Sequence, residues 1–202
     1  MTTRLIRVLI AMSIGFFFID LTCHYVEKKV IRFDLPEGEL KWSPVRPKKA
    51  KMCIPAAFTD TDGNISGLYR YDGNNYRNGK ALNMRVSLKG DMFYISRQWI
   101  SDYGFQQLTL VYNSKPMKFY DSRRATRRAL CKDENGTFIL QSNYPMTLTD
   151  FALECSKYST NATYLDMGEY GYGYITKNRL IRPLYIWGFF TRHKQTNWIY
   201  IE

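Results

Sequence analysis

Histidine is almost missing from this chain: there are two in 202 residues, His24 and His193. A histidine-built zinc site or a Ser-His-Asp triad therefore has almost no material. Cysteine is sparse as well. None of the four, Cys23, Cys53, Cys131 and Cys155, belongs to a CxxC pair. An oxidising compartment would allow one disulfide among them, and the spacing does not choose the pair. Acidic residues are outnumbered, 18 Asp and Glu against 29 Lys and Arg, for a formal net charge of +11. Such a surface suits a phosphate ester, an acidic glycan, a lipid headgroup or nucleic acid, and it serves solubility equally well. There is no internal repeat and no dinucleotide fingerprint. The stretch from Gly73 to Lys80 invites comparison with a phosphate-binding P-loop, but it is one residue too long. Ala81 also stands where a Ser or Thr would touch magnesium, so a turn is the better reading.

No uninterrupted apolar run reaches the roughly 20 residues that a spanning helix needs. What the chain does have is a shorter one. Arg4 and Arg7 precede Val8 to Ile19, the basic n-region and apolar h-region of an export signal. Leu5, Ile6 and the segment Leu21 to Val26 would lengthen it, but Arg7 and Asp20 interrupt. No small-x-small cleavage site follows, so an uncleaved anchor stands beside a cleaved signal peptide. Asp20-Leu-Thr-Cys23 faintly resembles a lipoprotein signal, with Thr22 bulkier than the residue usual there. The expected organisation is a signal anchor or signal peptide over 1–26, forming an N-terminal apolar helix. A basic, Pro- and Lys-rich linker follows over 27–51, and a globular domain over 52–202. With 45% hydrophobic and 16% aromatic residues the domain is of globular composition.

Alternating patterns predict strands. Ile65 to Tyr71 is followed by the turn cluster Asp72 to Asn75. Met84 to Leu88 and Met92 to Ile95 form a hairpin around Lys89-Gly-Asp91. Leu108 to Tyr112 and Met117 to Tyr120 pair around Asn113 to Pro116. Ala125 to Cys131 and Thr137 to Gln141 pair around a turn at Lys132 to Gly136. Ala162 to Leu165, Leu184 to Phe190 and Trp198 to Ile201 read as later strands. One helix is well marked, with Leu148, Phe151, Ala152 and Cys155 on one stripe and Thr147 as its cap. That places Cys155 in the core as a free thiol. The fold class is α+β: a mixed or antiparallel sheet domain with a few packed helices.

Several short blocks occur in a recognisable order. They are Pro55-Ala-Ala-Phe58, Gly67 through Gly73, Val111 through Met117, Arg127-Arg-Ala-Leu130 with Gly136 downstream, and Thr147-Leu148 through Leu165-Asp-Met-Gly168. In this order the chain, over about residues 52 to 175, resembles the phosphodiester glycosidase domain family. The resemblance implies an exported hydrolase of a sugar-phosphate diester, with a sugar phosphate or anionic glycan as partner. It implies no cofactor, no metal and no nucleic acid. Two departures stand out: Pro55 and Ala56 replace an Asn and a Gly of the family, and a Tyr- and Gly-rich tail follows Asp166. A binding module of the same fold, holding an anionic glycan at a membrane, is the alternative.

Under that resemblance Arg127, on a strand, would hold the phosphate diester with its planar fork. Arg128 would point to the opposite face. Asp166 ends a central strand, where site carboxylates are often displayed, and would act as acid, base or nucleophile. Glu169 would supply a second carboxylate. Gly67 and Gly168 would let backbone approach the substrate, Arg124 would extend the positive field, and Tyr170 would stack on a sugar face. Sequons at Asn64, Asn135 and Asn161 matter only in a glycosylating route.

Overall fold

The computed structural model describes residues 28–82, 84–167, 173–175 and 197–202. The expected N-terminal apolar helix and the expected strand Leu184 to Phe190 lie outside the described residues. In chain order the strands before the helix are β1 (Val30–Asp34), β2 (Lys41–Ser43), β3 (Met52–Pro55), β4 (Gly67–Tyr71), β5 (Asn74–Asn78), β6 (Arg85–Lys89), β7 (Met92–Ser96), β8 (Gly104–Gln106), β9 (Thr109–Tyr112), β10 (Lys115–Pro116), β11 (Arg128–Asp133) and β12 (Gly136–Ser142). The helix α1 (Leu148–Cys155) follows, then β13 (Asn161–Leu165), β14 (Tyr174–Ile175) and β15 (Trp198–Ile201). They form three antiparallel sheets, ordered β1-β12-β11-β13-β9-β10, β14-β3-β15-β2 and β5-β4-β8-β6-β7. The domain is therefore α+β, with one packed helix among the described residues rather than a few.

The helix forms where its sequence pattern places it. Thr147 is extended, and its hydroxyl accepts a hydrogen bond from the Asp150 N–H at 3.1 Å, satisfying one of the open donors of the first turn. Leu148, Phe151, Ala152 and Cys155 are all buried. Directly opposed residues of neighbouring strands share a face. In β11, Ala129 opposes Tyr164 and Leu140, and Cys131 opposes Ala162 and Phe138. This face packs with α1 into one apolar cluster. The other face, with Leu130, Ile139 and Leu165, meets Trp42, Ile54, Phe105 and Ile199 from the two smaller sheets. The six-stranded sheet is thus the middle layer, buried on both sides.

The stretch read as a linker contributes strands to two of the sheets. β1 pairs along its length with β12, Val30 opposite Ser142 and Asp34 opposite Phe138. β2 pairs with β15 and buries Trp42. The prolines and lysines that suggested a tether fall outside the strands, before β1, between β1 and β2 and after β2, while Val30, Phe33, Leu40 and Trp42 supply the burial. A second correction concerns β5. Its residues, read as a turn, form an exposed edge strand, and with no buried face they show no apolar alternation. Asp72 (φ +50°) and Gly73 (φ +75°) form the two-residue turn that leads into it, a geometry glycine takes without cost. A third concerns the strand expected from Met117 to Tyr120. Pairing stops at Pro116, and Tyr120 stands fully exposed.

Glu154 ties the first strand to the helix. Its carboxylate lies 3.1 Å from Lys29 Nζ and 2.9 Å from Lys157 Nζ. Burial raises the pKa of Glu154, but the hydrogen bonds from Lys157 and Lys29 outweigh it and leave the group below its ordinary value. A depressed carboxylate stabilises the fold above its unfolded-state pKa, and that stability is lost as pH falls through the folded value. Urea unfolding followed from about pH 6 down to about pH 3 should show stability falling, and Glu154→Gln should flatten that fall.

Candidate active site

The chemistry-bearing side chains gather where β13 leaves the middle sheet. Arg128 opposes Leu165 at the end of the register, and Arg127 and Asp166 are the next residues of the two chains beyond it. Arg127 lies just before β11 rather than within the strand. Its N–H donates to the Ser142 hydroxyl at 2.8 Å, and its carbonyl accepts from the Ser142 N–H at 2.8 Å. Strand alternation then sends Arg127 to the helix side, with Ala129 and Tyr164, and Arg128 to the other side.

Tyr164 feels both candidate groups. The Arg127 guanidinium lies 5.8 Å from the centre of its ring. Burial pushes the Tyr164 phenol up; a hydrogen bond and the charge from Arg127 pull it back, Asp166 pushes it up, and Arg123 pulls it down. One buried phenol therefore feels Arg127, Asp166 and Arg123 together. Its ring packs against Phe58 at 5.5 Å between centroids.

The Arg127 side chain is 3% exposed, and its fork is largely committed to the backbone. Nε donates to the Met146 carbonyl at 3.3 Å and Nη2 to the Arg123 carbonyl at 2.7 Å. This fixes the loop from 121 to 127 and leaves Arg127 as a buried positive pole more than as an open phosphate clamp. The exposed guanidinium next to it is Arg123, with Arg124 exposed beside it. Asp121 holds this loop from the other side. One carboxylate oxygen accepts the Arg123 N–H at 2.9 Å, and the other lies 3.8 Å from Arg127 Nη2. Sequence reasoning missed Asp121; the available signal was an acid standing alone at the head of the basic run Arg123 to Arg128.

Asp166 is half-buried and its N–H donates to the Ala56 carbonyl at 2.9 Å. The Pro55-Ala-Ala-Phe58 block thus lies against the site, offering backbone groups and the Phe58 ring but no polar side chain. The amide group comes from Asn197. Its Oδ1 accepts from the Ala57 N–H at 2.6 Å and from Trp42 Nε1 at 3.3 Å, and its Nδ2 donates to the Ala57 carbonyl at 3.0 Å.

Gly67 has a different setting. It opens β4 with φ +90°, and a Cβ there would meet Gln106 Oε1 at 3.2 Å. That oxygen also accepts the Leu68 and Leu82 N–H groups at 2.9 Å each, so glycine is needed for the seam of the five-stranded sheet. Gly168, Glu169 and Tyr170 lie outside the described residues. Arg128 is fully buried, its Nε and Nη2 donating to Gln141 Oε1 at 3.1 and 2.9 Å, and burial lowers its pKa to about 10. Two surface grooves, of about 430 and 500 Å³, are lined by other residues. Among the described residues no group of three His, Cys, Asp or Glu side chains is placed to hold a metal ion, and no helix is long and apolar enough to cross a membrane.

These layers, a helix on one face of the middle sheet and two smaller antiparallel sheets on the other, make a phosphodiester-glycosidase-like fold. A solved structure sharing it is the zebrafish N-acetylglucosamine-1-phosphodiester alpha-N-acetylglucosaminidase catalytic domain, auto-inhibited by its pro-peptide. The TM-score is 0.60 at 14% identity, over 89% of this chain and 85% of that one. No protein-family model matches the sequence, and no curated protein does.

Asn197→Ala should leave the Ala57 N–H and carbonyl and the Trp42 indole N–H without their partner. A loss of about 3 kcal/mol is expected from urea unfolding, with a change in the near-ultraviolet signal of Trp42.

Proposed function

We propose that this chain works outside the cytoplasm, held near a membrane by its N-terminal segment or released from it, and hydrolyses a sugar-phosphate diester at the face formed by Asp121, Arg123, Arg127, Tyr164 and Asp166. The observation that supports this reading is that Arg127 and Asp166, the next residues beyond the paired ends Arg128 and Leu165, both act on the buried Tyr164 phenol, in a fold like that of a phosphodiester glycosidase. Cleaving the bond from the sugar carbon to the phosphate oxygen releases a phosphate that keeps the bonding electron pair. A positive field does more for such a leaving group than a proton does. Arg123 and Arg124 would meet the phosphate, and Arg127 would hold their loop and add its charge from below. Asp166 would act on the sugar carbon or on the attacking water, and Asp121 would serve as a second carboxylate.

A second reading, a glycan-holding module without turnover, draws support from the Ala56–Ala57 segment. It brings no polar side chain, and the N–H and carbonyl groups of both residues are already bonded to Asn197, Asp166 or Gln107.

The test is turnover of a sugar-1-phosphodiester by the full chain. Asp166→Asn should lower kcat/KM by at least about 100-fold with an unchanged melting temperature. The pair Arg123→Ala and Arg124→Ala should act mainly through KM. Full activity in Asp166→Asn would sink the site. Binding without hydrolysis across a panel of diesters would favour the module.

A further inference from the structure

A second charged feature stands apart from the Arg127–Asp166 face. The loop from β2 to β3 reads Pro44-Val-Arg-Pro-Lys-Lys-Ala-Lys51 and runs beside β15. Between them lies a groove of about 500 Å³ lined by Ser43, Val45, Arg46, Lys48, Lys49 and Tyr200, with Glu202 at its rim. Three cations thus face one carboxylate, and that carboxylate is already paired, Glu202 Oε2 lying 2.7 Å from Lys41 Nζ.

Arg46 is held in place rather than waving in solvent. Its guanidinium lies 5.0 Å from the centre of the Trp198 ring. Beside these charges Val45 projects with 71% of its surface exposed. This exposed apolar side chain stands next to Arg46 and three residues before the Lys48–Lys49 pair begins. It suits a bilayer surface, where the cations meet headgroups and the apolar group enters the boundary beneath them. The tether is short: Val30 in β1 is eleven residues from Ile19 at the end of the apolar run, at most about 40 Å fully extended, so a run held in a membrane would keep the domain close to it. This last argument alone rests on the reading that the N-terminal run stays in a membrane.

We propose that the groove between the β2–β3 loop and β15 docks the folded domain on a phospholipid surface carrying anionic headgroups. The contact is separate from the N-terminal segment and from the hydrolytic face. Arg46, Lys48 and Lys49 supply the attraction, and Val45 supplies the apolar insertion.

The test is sedimentation of the full chain with phosphatidylcholine vesicles, with and without phosphatidylserine. The quantity read is the ratio of the two affinities, in which insertion of the N-terminal run cancels. The chain should prefer the anionic vesicles, and the preference should shrink as salt rises. Neutralising Lys48 and Lys49 together, as Lys48→Ala with Lys49→Ala, should lower the preference roughly 30-fold, at the usual gain per basic residue near an anionic surface. Lys115→Ala with Lys118→Ala removes the same charge from an exposed segment elsewhere and should leave most of the preference intact. Equal affinity for both vesicles, or equal loss in the two double variants, would overturn the proposal. So would displacement by millimolar inorganic phosphate at constant ionic strength, which would make the groove a site for a small anion. Diester turnover in solution should be the same in the Lys48 and Lys49 variant as in the parent chain, so failure of the docking contact and failure of the hydrolytic site read out separately.

Discussion

The arrangement at the candidate site hangs on one buried amide. Asn197 precedes the last strand, yet its side chain bonds the backbone of Ala57 on both sides and the indole of Trp42 on a third. Ala56, the neighbour it holds, in turn accepts the Asp166 N–H and the Gln107 side chain. The side chain therefore holds the end of the small sheet in place, and the Ala56 carbonyl joins that end to the middle sheet at the point where Asp166 leaves its strand. Buried backbone groups must find partners, and a segment that ends a strand without continuing one has few to choose from. The Asn197 amide answers that need with a donor and an acceptor in one rigid plane.

The second constraint is how two adjacent arginines are kept inside. Arg127 and Arg128 sit at one end of the middle sheet on opposite faces, each buried. Burying a cation costs heavily unless its donors are used. Arg127 uses two backbone carbonyls and the Tyr164 phenol; Arg128 uses the amide oxygen of Gln141. The outcome is a strong positive potential at the sheet's end, with Arg123 and Arg124 continuing it into solvent.

Much of the fold was legible in the sequence because burial leaves a pattern. Helix α1 shows its stripe and its cap, and the β6–β7 hairpin shows alternation around Gly90. Strands β1, β2 and β5 were not legible. The first two are short and lie among prolines and lysines that belong to the loops, and β5 buries too little to alternate. At the site, Arg127 and Asp166 were singled out through the family resemblance. Asp121, Tyr164 and Asn197 were not, because the contacts that place them include partners 6 to 155 residues away and no local rule links those. The difference between an open arginine fork and one bound to carbonyls is likewise invisible before the loop from 121 to 127 is folded around it.

The pairing of the first strands with distant ones has a consequence for how the molecule is made. Val30 meets Ser142, and Lys41 meets Tyr200, so two of the three sheets close over most of the chain length. Such closures carry a large entropic delay. A nascent chain could form the β6–β7 hairpin early, but β2, which pairs with β15, would wait for that strand to be made. The small sheet therefore closes late, and a chain interrupted before Trp198 would leave β2 without its neighbour and one side of β3 open to unwanted strand pairing.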